Sequence, residues 1–182
     1  MKIIFSVLFL LACILSAKIF AETEEHDHKI DEFITSFGIK ESALSAFSSE
    51  YPSSIVSKKD EWEGNKEKEA CLDSYLSKES RYKNIVIASF KKSYNLQEAS
   101  EAFEETKTEF TKTYLNLLFL SKMQGRDPTK KIIEHAESNK KAYLQFEKNI
   151  KPKKIKAVTH ILMPIYAGKY YDKVIETCIT KL

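Results

Sequence analysis

Apolar side chains recur every three to four residues along most of the chain, which is the spacing of one face of an α-helix. The first helix is predicted for residues 29–37 and ends at Gly38, because glycine favours the left-handed conformation that closes a helix. A second helix is predicted for residues 40–49, ahead of Pro52. Residues 53–65 are mostly polar. The two helices predicted after them bury the apolar sets Cys71, Leu72, Tyr75 and Leu76, and Tyr82, Ile85, Val86 and Phe90.

The clearest start signal in the chain is Asn95. Its side chain can accept a hydrogen bond from the backbone N–H of Glu98, whose carboxylate can reach back to the backbone of Asn95 in a capping box. The helix is predicted to continue to Met123, with the apolar run 115–120 at the centre of the core. A seven-residue apolar repeat leaves a coiled-coil dimer open, but the threonines beside it favour an intramolecular bundle. The residues of this repeat are Leu96, Phe103, Phe110 and Leu117.

Prolines punctuate the C-terminal part of the chain. Asp127 followed by Pro128 predicts the start of a helix that ends at Pro152. A further segment follows, which Pro164 should kink or end, and a final helix is predicted beyond it. The sequence has no internal repeat and no extended strand-like alternation. The prediction is therefore an all-α protein, an irregular bundle of about six to seven helices in a single domain, residues 29–182.

The first 21 residues have the order of a secretory signal peptide. A positively charged start is followed by the apolar run 3–17 and then by Ala21, after which cleavage is predicted; cleavage after Ala17 is an alternative. An apolar run of about fifteen residues is shorter than the roughly twenty that span a bilayer, so no transmembrane span is expected after signal removal. The residues ending at Cys13 also resemble a bacterial lipobox, which leaves a lipoprotein as a second alternative.

Removal of the signal peptide changes the charge and leaves two cysteines. Two lysines and no acids are lost, so 29 basic residues become 27 against 26 acidic ones, and the net charge falls from +3 to +1. This balance argues against a dedicated nucleic-acid binder. Cys71 and Cys178 lie on apolar helix faces, and in an oxidising compartment we expect them to form a disulfide. Two free cysteines acting as small core residues are the alternative.

Three groups of residues carry candidate binding chemistry. Residues 22–28 are predicted to form a flexible polar N-terminus, and its imidazoles and carboxylates could bind a first-row metal. A solvated polar tail is the favoured interpretation, because no second cluster of ligands completes the coordination sphere. The lysines around Pro152 and the tyrosines around Gly168 could contact a partner, or form a solvated corner and ordinary core packing. The candidate metal ligands are His26, Asp27 and His28. The candidate interaction surface is Lys151, Lys153, Lys154, Lys156, Tyr166, Tyr170 and Tyr171.

No catalytic motif occurs in the sequence, so it predicts no catalytic residue and no cofactor. His135 and His160 are the remaining candidates for acid–base chemistry, and structural roles are the simpler interpretation of both.

The leading functional hypothesis is an exported protein, periplasmic or extracellular, that acts by contacting an envelope or extracellular protein. We expect a monomer, with a dimer left open by the seven-residue repeat. A helical bundle that binds a small apolar ligand or a metal is the alternative, and a hydrolase assembled from distant residues is the third hypothesis.

Overall fold

A computed structural model describes residues 22–47, 51–123 and 127–180. These residues form helices joined by short turns, without a strand among them, which confirms the all-α prediction. They divide into more helices than the six to seven predicted. In chain order the helices are α1 (22–36), α2 (Ile39–Ala46), α3 (Ser53–Glu61), α4 (Lys66–Leu76), α5 (Lys78–Arg81 through Ala88–Lys91), α6 (Leu96–Thr106), α7 (Glu109–Met123), α8 (Thr129–Ser138), α9 (Lys140–Ile150) and α10 (Pro152–Ala157 through Met163–Thr180).

Both α5 and α10 contain a π-helical turn, at Tyr82–Ile87 and Val158–Leu162 respectively. The turn in α10 explains why Pro164 neither ends nor divides this helix. A proline in a helix lacks an N–H, and its ring clashes with the carbonyl group four residues earlier. That carbonyl belongs to His160, which lies inside the π turn, where the backbone is already wider than in an α-helix.

The signals predicted at Gly38 and Asn95 are present. Gly38 has a φ of 72° where α1 gives way to α2. The Asn95 side chain accepts a hydrogen bond from the backbone N–H of Glu98 at 2.9 Å. The Glu98 carboxylate accepts one from the backbone N–H of Asn95 at 3.1 Å, which completes the capping box. Such caps are worth about 1 kcal/mol because they satisfy amides that lack a partner within the helix.

Three features of the helices differ from the sequence prediction. The polar segment 53–65 contains helix α3, which is held by the buried side chain of Ile55. The helix predicted from Asn95 to Met123 ends at Thr106 and restarts at Glu109. The helix predicted from Pro128 to Pro152 is divided at Asn139, where the backbone leaves the helical region with φ −128° and ψ 40°.

The division between α6 and α7 is stabilised by a buried polar cluster around Glu105, which is 5% exposed. Thr108 caps α7, since its hydroxyl oxygen accepts a hydrogen bond from the Thr111 backbone N–H at 3.2 Å. The Thr111 hydroxyl donates to one Glu105 oxygen at 3.2 Å, and Asn149 donates to the other at 3.0 Å. The buried carboxylate on α6 thereby accepts hydrogen bonds from α7 and α9. These bonds stabilise the corner between α6 and α7.

The larger core cluster packs α1 against α5, α6 and α9. The ring of Phe33 lies 6.2 Å from that of Phe90 and 5.4 Å from that of Tyr94, measured between centroids. The Tyr94 hydroxyl donates to the backbone carbonyl of Ile150 at 2.5 Å. Of the run 115–120, which was predicted at the centre of the core, Leu115 is buried and Leu117 and Leu118 are half-buried, while the side chains of 119 and 120 lie outside the described part. The fully buried residues of this cluster include Ile30, Phe33, Ile34, Val86, Phe90, Tyr94, Ile150 and Val158.

The second core cluster joins α3, α4 and α10. It contains the predicted disulfide, in which the Cys71 and Cys178 sulfur atoms are 2.02 Å apart and their Cα atoms 5.8 Å apart. Since these cysteines are 107 residues apart in the sequence, the bond ties the middle of the chain to its last helix. The buried residues of this cluster are Ile55, Trp62, Leu72, Leu76, Ile85, Tyr171, Val174 and Cys178.

The predicted signal peptide, with Cys13 and both cleavage sites, lies outside the described residues and stays a prediction. Residues 22–28 were expected to be flexible, whereas in the structure they form the first turns of α1. Within the described ranges, no helix combines the length and the apolar character that a membrane span requires.

Candidate functional site

The three candidate metal ligands lie on the first turns of α1 and have separate partners. The His26 Nε2 atom lies 2.8 Å from the backbone carbonyl oxygen of Tyr94. Asp27 forms an ion pair with Lys91 at 2.5 Å. His28 is exposed, and consecutive positions on an α-helix point about 100° apart. The structure does not bring the three side chains together, and no group of three His, Cys, Asp or Glu side chains in the described ranges could hold a metal ion.

The structure divides the basic patch around Pro152 into two pairs of lysines. Lys151 lies between α9 and α10 with a φ of 51°, and its ammonium group contacts the Glu98 carboxylate. Lys154 donates to the same carboxylate at 2.8 Å and 2.9 Å. The hydrogen bond from Lys151 and then that from Lys154 lower the pKa of Glu98 from 4.5 to about 2. Lys153 and Lys156 are exposed on α10 instead.

The three tyrosines near Gly168 also do not form one surface. Tyr171 belongs to the second core cluster and is 6% exposed. The Tyr170 hydroxyl donates to the backbone carbonyl of Tyr75. Burial is the main reason why the pKa of Tyr170 is raised. Tyr166 lines a cleft between helices. Packing therefore explains Tyr170 and Tyr171, and Tyr166 is partly buried against the same cluster while it also lines the cleft.

An exposed basic and apolar surface lies on the first half of α10. Ile161 is 58% exposed and Ile165 is 48% exposed, with the exposed Pro164 between them. The chain carries six lysines and no acidic residue between Glu147 and Asp172. We call this surface the α10 outer face, and it consists of Lys153, Lys156, His160, Ile161, Pro164 and Ile165, all of which are exposed.

A cleft of about 470 Å³ lies between α1, α5 and α10. Its floor is formed by three pairs of neighbouring residues that are four positions apart: Lys83 and Asn84, Ile87 and Ala88, and Lys91 and Lys92. On an ideal α-helix, side chains four positions apart point in directions that differ by about 40°. The π turn in α5 has more residues per turn, which reduces this angle and keeps the pairs on one face. We call this site the α5 cleft, and its lining comprises His26, Asp27, Lys83, Asn84, Ile87, Ala88, Lys91, Lys92 and Tyr166.

The α5 cleft has an excess of positive charge. Asp27 supplies the carboxylate among its described lining residues, and the ion pair with Lys91 balances that charge. Lys83 and Lys92 are exposed, and neither forms an ion pair with a described residue. The sequence pattern singled out His26, Asp27 and Tyr166, but it did not place them in one cleft with Lys83 and Lys92. The signal in the sequence was the order of residues along α5 and just beyond it, where Lys83 precedes and Lys92 follows the apolar residue Ile87.

The two candidate acid–base histidines have different surroundings. The His135 ring stacks on that of Phe110 with centroids 4.6 Å apart, and its Nε2 atom lies 3.2 Å from the Phe110 carbonyl oxygen. Asn139 contacts the same histidine from the next turn. His160 is exposed on the α10 outer face. Stacking and backbone hydrogen bonding give His135 a packing role between α7 and α8.

No family model matches the chain, and neither a curated protein nor a solved structure matches it. The chain is thus characterised by its own architecture, an all-α bundle in which a disulfide joins α4 to α10. Among the surface features of the described residues are the α10 outer face and the α5 cleft.

Proposed function

We propose that the chain is an exported helical protein that acts by binding an acidic envelope or extracellular protein through the α10 outer face. The order of residues 1–21 supports export, and a buried disulfide suits an oxidising compartment. The exposed apolar residues of α10 carry the part of the proposal that concerns binding.

Burial of the apolar part of the α10 outer face against a partner would stabilise the complex. Fully burying an isoleucine side chain contributes about 1.5–3 kcal/mol. Since Ile161 and Ile165 are each about half-exposed, a partner that covers both could recover about 1 kcal/mol or more from each. Pro164 lies between them and adds apolar surface without a backbone N–H that would need a new hydrogen-bond acceptor.

The charges around this surface define the chemistry of the partner. Lys151 and Lys154 are both paired with Glu98, so Lys153 and Lys156 are the lysines of the patch that can attract an external group. Interfaces commonly combine an apolar centre with a charged rim, and complementary charges mainly raise the association rate and the specificity. The partner should therefore present carboxylates around an apolar depression.

The test is site-specific crosslinking during export. A photo-reactive phenylalanine analogue replaces Ile161 in one variant and Ile133 in the control. Ile133 is a matched control because it is 50% exposed but lies on α8. We expect a discrete adduct from position 161 alone, with the crosslinked partner peptide rich in Asp and Glu. In this background, Lys153→Glu with Lys156→Glu should reduce the adduct about tenfold or more.

Three outcomes would contradict the proposal. The same adducts at positions 161 and 133 would show unspecific capture, and an adduct of two copies of this chain would make the face a homodimer contact. Binding of the purified protein to phosphatidylglycerol vesicles, abolished by the same lysine substitutions and without a protein adduct, would assign the face to a membrane surface.

A further inference from the structure

We propose that the α5 cleft binds an elongated organic dianion with an apolar middle, such as a long-chain dicarboxylate. This site is separate from the α10 outer face, and it does not depend on the proposed protein partner. The inference follows from the order of groups along the cleft floor, where a lysine, an apolar stretch and a second lysine succeed one another.

The charges of the cleft select an anion. Lys91 is occupied by Asp27, whereas Lys83 and Lys92 have no acidic partner among the described residues. A carboxylate that reached either ammonium group would form a charge-assisted hydrogen bond, which is stronger than one between neutral groups. Two such positions in one cleft favour a ligand with two negative groups.

The spacing of the lysines selects the length of the ligand. Lys83 lies on α5, and Lys92 directly follows the last residue of this helix, nine positions after Lys83. A rise of about 1.5 Å per residue places their Cα atoms about 13 Å apart along the helix axis. Flexible lysine side chains can shorten this span by a few ångströms. A single small anion would engage one lysine, whereas two carboxylates about 10–13 Å apart would engage both.

The floor between the lysines selects an apolar middle. Ile87 is 7% exposed and its neighbour Ala88 is half-buried, so this stretch offers a low-lying apolar surface. Tyr166 on α10 forms part of the opposite wall, where its ring can cover an alkyl chain. An aliphatic chain would lose contact with water on both sides, which favours its binding over that of a polar linker.

The test is isothermal titration calorimetry of the exported, purified protein with simple probes. Sebacate carries two carboxylates on an apolar chain of suitable length. Succinate is too short, decanoate has one carboxylate, and inorganic phosphate has no chain. We expect sebacate to bind about tenfold or more tightly than each of the other three, and its affinity to fall as salt is added.

Three substitutions and one control substitution test which side chains of the α5 cleft bind sebacate. Lys83→Gln and Lys92→Gln should each weaken sebacate binding about fivefold to tenfold. Asp27→Asn should tighten it several-fold, because it removes the opposing carboxylate and releases Lys91. Lys148→Gln, at an exposed lysine on α9, should leave the affinity unchanged.

The gain expected for Asp27→Asn distinguishes ligand binding from damage to the fold, since damage would lower the affinity in every variant. Equal binding of phosphate and sebacate, or loss of binding with Lys148→Gln, would show unspecific attraction and overturn the proposal. Absence of sebacate binding at millimolar concentration would overturn it as well.

Discussion

The ion pairs of Glu98 should make a measurable, pH-dependent contribution to stability. Glu98 combines two roles, because it completes the capping box of α6 and contacts the lysines that join α9 to α10. Glu98→Gln removes the negative charge but keeps a side-chain oxygen that can still accept from the Asn95 N–H. The substitution therefore isolates the charge from the cap.

The expected magnitude follows from the pKa of Glu98. A decrease from 4.5 to about 2 on folding corresponds to at most roughly 3.4 kcal/mol of folding free energy. The Glu98 side chain is 23% exposed, and those of Lys151 and Lys154 are 33% and 34% exposed, so water screens both ion pairs. We therefore expect Glu98→Gln to lower the free energy of unfolding by about 1–2 kcal/mol at pH 7.

The pH dependence has a defined sign. Because the folded pKa of Glu98 is lower than the unfolded one, the contribution is fully present above about pH 4.5 and is lost as the pH falls towards 2. Urea unfolding followed by circular dichroism at pH 7 and at pH 2.5 measures the difference between the wild type and Glu98→Gln. The difference should shrink at the lower pH.

Glu109 offers a matched control. It pairs with Lys112 at 2.8 Å, but its side chain is 89% exposed, and such pairs contribute little. Glu109→Gln should change the free energy of unfolding far less than Glu98→Gln. Equal effects of the two substitutions, or an effect of Glu98→Gln that persists at pH 2.5, would refute the assignment of stability to this ion-pair cluster.

Two further variants test the core. Replacing Cys71 and Cys178 by serine should lower the free energy of unfolding by up to about 4–5 kcal/mol, measured by urea unfolding, because the unfolded chain loses a long-range crosslink; an unchanged midpoint would show that the bond constrains nothing. Tyr94→Phe should cost about 1–3 kcal/mol in the same assay, since it leaves the buried Ile150 carbonyl without its hydroxyl donor; a cost near zero would mean that water replaces the hydroxyl.

Local signals in the sequence identified those features that depend on neighbouring residues. The Asn95 capping box and the end of α1 at Gly38 each require a few adjacent positions, and the structure contains both. The disulfide could also be predicted from the sequence. Only Cys71 and Cys178 remain after removal of the predicted signal peptide, and both lie on apolar helix faces.

The positions at which these helices divide depend on contacts between residues that are distant in the sequence. The spacing of apolar positions carries no information about such contacts. The apolar pattern continues across Thr108, so it predicted one helix where two are present. What stabilises that division is the buried Glu105, whose carboxylate accepts a hydrogen bond from the distant Asn149. Similarly, Pro164 was expected to interrupt its segment, but the preceding π turn allows α10 to continue.

The candidate sites show the same limit. Lys151 and Lys154 formed one basic patch in the sequence, but Glu98, more than fifty residues earlier, occupies them. The α5 cleft exists only because α1 and α10 flank α5, so the lysines of its floor looked like ordinary surface residues. Charge in the sequence gives the number of groups, whereas the fold determines which of them remain unpaired.

The π turn in α10 also sets the register of everything that follows it. An α-helix rotates by about 100° and advances by about 1.5 Å per residue, and a π turn holds one residue more than an α turn. If Val158–Leu162 took up α-helical geometry at the same chain length, the rest of the helix would rotate by about that angle. Cys178 would then face away from Cys71. The rate at which the two thiols oxidise therefore depends on the geometry of a π turn that lies about twenty residues before Cys178.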